Sequence, residues 1–110
     1  MFRKLRKKFN KKLKRSLNKK DINKNELVRF LKDGAILVDV RSPQEYREGH
    51  LEGAMLIPEY ELMSKHSKIF ESKDETIILY CSNGLRSKKA QQKLEKLGYI
   101  NVYNLANDLK

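Results

Sequence analysis

Cys81 is the only cysteine of this 110-residue chain, and it stands in the segment Tyr80-Cys81-Ser82-Asn83-Gly84-Leu85-Arg86-Ser87. An apolar run precedes it and a helix-patterned segment follows. That junction suits a nucleophilic thiol. The helix behind it presents unpaired N–H groups and the positive end of its dipole. Gly84 permits a positive φ, so the loop can curl its amides inward around an anion. Arg86 adds a permanent positive charge. These features favour thiolate over thiol at Cys81 and are expected to depress its pKa. The same cradle would hold a persulfide anion or the oxyanion of a donor. Ser82, Asn83, Gly84, Leu85 and Ser87 are the expected binding loop, with Cys81 and Arg86 as the reacting pair. A buried structural cysteine requires none of this.

The elements that must position the loop follow from hydrophobic periodicity. Residues 76–80 form a continuous apolar, β-branched run that reads as a buried strand, as do 35–40 and 54–57, the latter stopped by Pro58. Ile22 marks a linker or a short edge strand. Asn23 or Asn25 can cap a helix to about Lys32, with Leu27, Val28, Phe30 and Leu31 on its apolar side and Gly34 at its end. Ser42, Pro43 and Glu45 have the spacing of a capping box, and Gly49 closes that turn. A helix over 59–70 would use Tyr60, Leu62, Met63, Ile69 and Phe70 as apolar positions. Another over 87–97 would bury Ala90, Leu94 and Leu97, and 101–103 is a last short strand. Strands that alternate with helices imply parallel pairing and a three-layer α/β domain.

Charge is divided sharply along the chain. Residues 1–20 hold eleven Lys or Arg and no acid, whereas residues 21–110 hold 14 basic and 14 acidic residues, so the net charge of +11 lies wholly in the first segment. Within it Phe2, Leu5, Phe9, Leu13 and Leu17 make one apolar stripe, which predicts a basic amphipathic helix. Like charges three and four residues apart repel, so such a helix needs a surface or an anionic partner. An anionic membrane surface fits best, set against a solvated basic tail that aids solubility. Nucleic acid is disfavoured, because no aromatic stacking platform or recognition motif accompanies the charge. A mitochondrial presequence is weakened by the excess of Lys over Arg and the scarcity of Ser. The chain has no apolar run long enough to span a bilayer and no secretory pattern at its start. One cysteine excludes an intramolecular disulfide and an all-cysteine metal site, and it suits the reducing cytosol.

Three segments together resemble one family. Cys81-x4-Arg86-Ser87 after a strand is similar to the active-site loop of the rhodanese family. Val38-Asp39-Val40-Arg41-Ser42-Pro43-Gln44-Glu45-Tyr46, followed by Gly49-His50-Leu51-Glu52-Gly53-Ala54, is similar to its upstream signature. Leu97-Gly98-Tyr99-Ile100-Asn101-Val102-Tyr103 resembles the approach to its C-terminal strand. The order and spacing cover residues 21–105. The resemblance implies a three-layer rhodanese-like domain with a mostly parallel central sheet over 21–110. Beyond the last strand the chain departs from the family. Asn104-Leu105-Ala106-Asn107-Asp108-Leu109-Lys110 stands in place of a Gly-Gly turn, a final helix and often a Trp.

The implied activity is sulfur transfer without metal or cofactor. A Cys81 persulfide would take sulfane sulfur from thiosulfate or another persulfide and pass it to an external thiol or a cyanide-like acceptor. The family's phosphatase-like relatives carry a loop one residue longer, so the spacing from Cys81 to Arg86 implies sulfur rather than phosphate. The rival reading is a non-catalytic binding or scaffold module, against which the intact loop argues. By resemblance Asp39 helps orient Arg86, or else it makes a structural pair of its own. Arg41 and Glu45, four apart across a turn, are expected to form an ion pair. His50 is a candidate proton carrier, set against the reading in which a His in such a turn bonds backbone.

Overall fold

The computed structural model describes residues 20–105. The amphipathic helix expected within 1–20 and the segment after Leu105 lie outside those residues. Five strands form one sheet: β1 (Asp21–Ile22), β2 (Ile36–Asp39), β3 (Met55–Leu56), β4 (Thr76–Tyr80) and β5 (Asn101–Leu105). Their spatial order is β1-β5-β4-β2-β3, and every neighbouring pair is parallel. The helices are α1 (Lys24–Lys32), α2 (Pro43–Glu48), α3 (Leu62–Ile69) and α4 (Leu85–Lys96), with a 3-10 turn at Glu59–Glu61. No helix among the described residues is long and apolar enough to cross a membrane.

Strand β4 is central because both of its faces are apolar. Side chains alternate across a strand, so Ile77 and Leu79 join one core while Ile78 and Tyr80 join the other. The first core packs Val38, Ile57, Leu62, Phe70, Ala90, Leu94 and Val102 between the sheet and α3 and α4. The second packs Ile22, Leu27, Leu37, Tyr103 and Leu105 against α1. Three layers result, as a sheet buried on both faces requires. Continuing the alternation, Cys81 falls on the α4 side of the sheet.

Several expected boundaries shift, each for a local reason. The helix expected over 59–70 is split, since Pro58 opens a 3-10 turn before α3 begins at Leu62. The tighter turn changes the phase of the pattern, so Leu62 and Phe70 are buried while Tyr60 and Met63 are 68% and 53% exposed. On α1 Leu27 is buried and Phe30 stacks near Tyr103, with ring centroids 4.7 Å apart. Val28, about 100° further round the helix, is exposed. Helix α4 starts two residues earlier than periodicity indicates, because Gly84 in the left-handed region (φ 85°) serves as its N-cap. The capping box at Ser42 forms as expected, with Ser42 Oγ accepting from Glu45 N–H and Glu45 returning the bond to Ser42 N–H.

The strand order also fixes where a ligand would bind. After β2 the chain moves outward to β3, and after β4 it moves the opposite way to β5. The crevice outside the carboxyl ends of β2 and β4 is the switch point of such a sheet. The Cys81 loop and the N-terminus of α2 both face it.

Candidate active site

Cys81 follows directly on β4 and is 3% exposed. Its Sγ accepts from Gly84 N–H at 3.0 Å and from Ser87 N–H at 3.4 Å. Ser87 Oγ lies 3.4 Å from the sulfur and Asn83 Oδ1 3.8 Å from it, both placed to accept from the thiol. Asn83 Oδ1 also accepts from Leu85 N–H at 3.0 Å, which fixes the curl of the loop. Burial pushes the Cys81 thiol up. Hydrogen bonds from the Ser87 hydroxyl and from the backbone amides of Ser87, Asn83 and Gly84 outweigh it, so the pKa lies below the ordinary thiol value. The amide nest read from the sequence is therefore present. These hydrogen bonds are the larger cause of the lowering, and the Arg86 charge also interacts with the sulfur.

Arg86 is engaged elsewhere. Its two terminal nitrogens donate to the two Glu45 carboxylate oxygens at 2.7 and 2.9 Å, and one also donates to Ser82 Oγ at 3.1 Å. This fork overturns the expected Arg41–Glu45 pair, and Asp39 takes the second of its two expected roles, a structural pair of its own. Glu45 belongs to Arg86 and not to Arg41. Asp39, fully buried, pairs with Arg41 and does not orient Arg86. The physical reason is position along the crevice. Asp39 ends β2, and Arg41 two residues on folds back over it, with its own N–H also donating to Asp39 Oδ1 at 2.9 Å. Glu45, three residues into the capped α2, is carried across the crevice toward the β4 loop. The Arg86 fork, with the Ser42 N–H behind it, holds the Glu45 carboxyl down at about 2.

The other predicted residues divide into two groups. Ser82 and Asn83 are exposed on the loop, Ser87 is fully buried beneath it, and Leu85 stands at its lip, 68% exposed. His50 is not brought to the sulfur. Its Nδ1 lies 2.8 Å from the Tyr46 carbonyl, and its ring stacks on Tyr46 at 3.6 Å. Among the described residues no group of three or more His, Cys, Asp or Glu is placed to hold a metal ion.

Two residues of the site were not read as such from the sequence. Glu45 was expected as a cap and as a partner of Arg41, since its actual partner Arg86 lies 41 residues away. Asn104 on β5 accepts from Ser87 Oγ through its Oδ1, directly behind the sulfur. The sequence reading ended this strand at residue 103, which left Asn104 outside it.

Comparison with known proteins places this geometry in a lineage. The rhodanese-like domain family matches residues 10–110. The Bacillus subtilis protein YqhL is 41% identical over 76 residues, covering 69% of this chain and 59% of YqhL. Thiosulfate sulfurtransferase PspE of Escherichia coli is 34% identical over 67 residues, covering 61% of this chain and 64% of PspE. In both cases the match spans less than two thirds of the relative. Among solved structures, the human single-domain sulfurtransferase TSTD1 superposes with a TM-score of 0.70 at 29% identity, covering 80% of this chain and 89% of that one.

Proposed function

This chain belongs to the rhodanese-like domain family, and on that premise we propose that it moves sulfane sulfur through a Cys81 persulfide. The observation that carries the reading is the sulfur itself. It sits at the carboxyl end of the central strand, held by the Gly84 and Ser87 amides at 3.0 and 3.4 Å. Such donors stabilise a thiolate before reaction and the thiol-derived anion after it.

With thiosulfate as donor, the Cys81 thiolate attacks the outer sulfur. A bond forms between Sγ and that sulfur, the S–S bond of thiosulfate breaks, and sulfite leaves with its electron pair. In the second half, cyanide or an external thiolate attacks the outer sulfur of the persulfide. The Cys81 Sγ then leaves with the electron pair as thiolate. The described loop supplies the donors that meet negative charge in each half. Arg86 sits at the mouth, its guanidinium held in place by Glu45.

The acceptor is a separate molecule, because the chain has no second cysteine. A lone reactive thiol suits the cytosol. Residues 1–20, which hold the whole net charge, provide contact with an anionic membrane surface. A thiosulfate:cyanide assay tests the reading. Thiocyanate formed by the wild type and abolished in Cys81→Ser supports it. Equal background rates in both would leave a non-catalytic binding module as the better description.

A further inference from the structure

Behind the sulfur runs a buried polar chain on which sulfur transfer itself does not call. Ser87 is fully buried and has one hydroxyl proton. Three acceptors surround it: Asn104 Oδ1, the Gly84 carbonyl at 3.2 Å, and Cys81 Sγ at 3.4 Å. Asn104 is 7% exposed, and its backbone is fixed in the sheet by an N–H bond to the Lys20 carbonyl at 2.8 Å.

The orientation of the Asn104 amide follows from its other neighbour. Nδ2 lies 3.3 Å from Asp21 Oδ1 on β1. A carboxylate only accepts, so turning the amide over would set two oxygens against each other there. Oδ1 therefore faces Ser87 and draws its proton. Ser87 is left offering a lone pair to the sulfur, which suits a thiol that donates. A thiolate needs the reverse, with the Ser87 proton turned toward sulfur and away from Asn104.

We propose that Asn104 is a positioning residue for Cys81: held by Asp21, its amide oxygen competes with the sulfur for the single proton of Ser87 and so restrains thiolate formation. The inference rests on the reading of Cys81 as the reacting sulfur, but its test does not depend on turnover. The charged groups on the elements around the loop are Arg86 and Lys88 on α4, Glu45 on α2, Asp39 and Arg41 at the end of β2, and Asp21 on β1. Of these only Asp21 belongs to the competition, and Lys88 Nζ lies 3.5 Å from the same Oδ1 that accepts from Asn104.

The experiment is a pH titration of thiolate ultraviolet absorbance on the full chain, with Cys81→Ser as the blank. Asn104→Ala is expected to lower the Cys81 midpoint by about one pH unit, the scale of one hydrogen bond to a charged group. Ser87→Ala is expected to raise it. In a Ser87→Ala background, Asn104→Ala should no longer shift it, because no proton remains to compete for. Asp21→Ala alters a half-exposed side chain and keeps the test open should Asn104→Ala fail to fold. It too should lower the midpoint only while Ser87 is present. A midpoint left unchanged or raised by Asn104→Ala or Asp21→Ala with Ser87 in place would overturn the proposal. So would a drop of equal size without Ser87, which would mark a plain charge effect. Sulfur loading of the wild type is measured separately by mass. Loading without the predicted shifts removes the role of Asn104 alone, and shifts without loading remove the sulfur-transfer reading alone.

Discussion

Burial and hydrogen bonding pull in opposite directions on a sulfur that is 3% exposed, and at Cys81 the hydrogen bonds prevail. The thiolate midpoint of the wild type is therefore expected below that of a free thiol, about 8.5, by the same absorbance titration. A midpoint at or above that value would mean that desolvation dominates. Glu45 offers a second test at this scale. Its carboxyl is lowered from 4.5 to about 2 by Arg86 and the Ser42 amide. A depressed acid contributes stability that is fully present above the unfolded value and lost as pH falls through the folded one. Glu45→Gln should thus lower stability at neutral pH, and the gap to wild type should close between about pH 4.5 and 2. Both partners are about one third exposed, so screening limits the gap to about 1 kcal/mol. Denaturant melts at several pH values would show it. These residues also mark what was legible in advance. Cys81 to Ser87 lie together in sequence, so the curl of amides around the sulfur could be anticipated from their spacing. The partners of Arg86 and Ser87 could not, since Glu45 and Asn104 reach them only through the strand order.

Helix α2 converts a local sequence rule into a feature of the site. The Ser42 capping box starts the helix, and the same Glu45 that completes the box holds Arg86. Ser42→Ala should cost about 1 kcal/mol of stability, the ordinary loss of an N-cap. It should also loosen Arg86, so that transfer from thiosulfate falls by more than the folded fraction does. Thermal melts alongside the cyanide assay separate the two. Activity that only tracks stability would confine Ser42 to capping. Element types were readable wherever a cap or an apolar run stated them, as at Asn23, Ser42 and 76–80. They blurred where Pro58 and Gly84 reset the helical phase, which a count of apolar spacings does not register.

On the scale of the whole molecule, the parallel sheet puts every strand's carboxyl end on one side, and the switch between β2 and β4 collects the Cys81 loop and α2 there. The alternation of elements was enough to anticipate that architecture. The order β1-β5-β4-β2-β3 was not, because nothing local tells β4 to insert beside β2. Charge is segregated as well, with the whole of the +11 carried by residues 1–20. Full-length protein should co-sediment with anionic vesicles and release them as salt rises, while residues 21–110 alone should stay in the supernatant. Equal sedimentation of both, or of neither, would contradict a membrane role for the segment. The central claim is that Cys81 carries sulfur, and intact-protein mass spectrometry tests it most directly. After incubation with thiosulfate, the wild type should gain the mass of one sulfur atom, lose it with dithiothreitol, and show no gain as Cys81→Ser. An unchanged mass, or a gain that survives in Cys81→Ser, would contradict it.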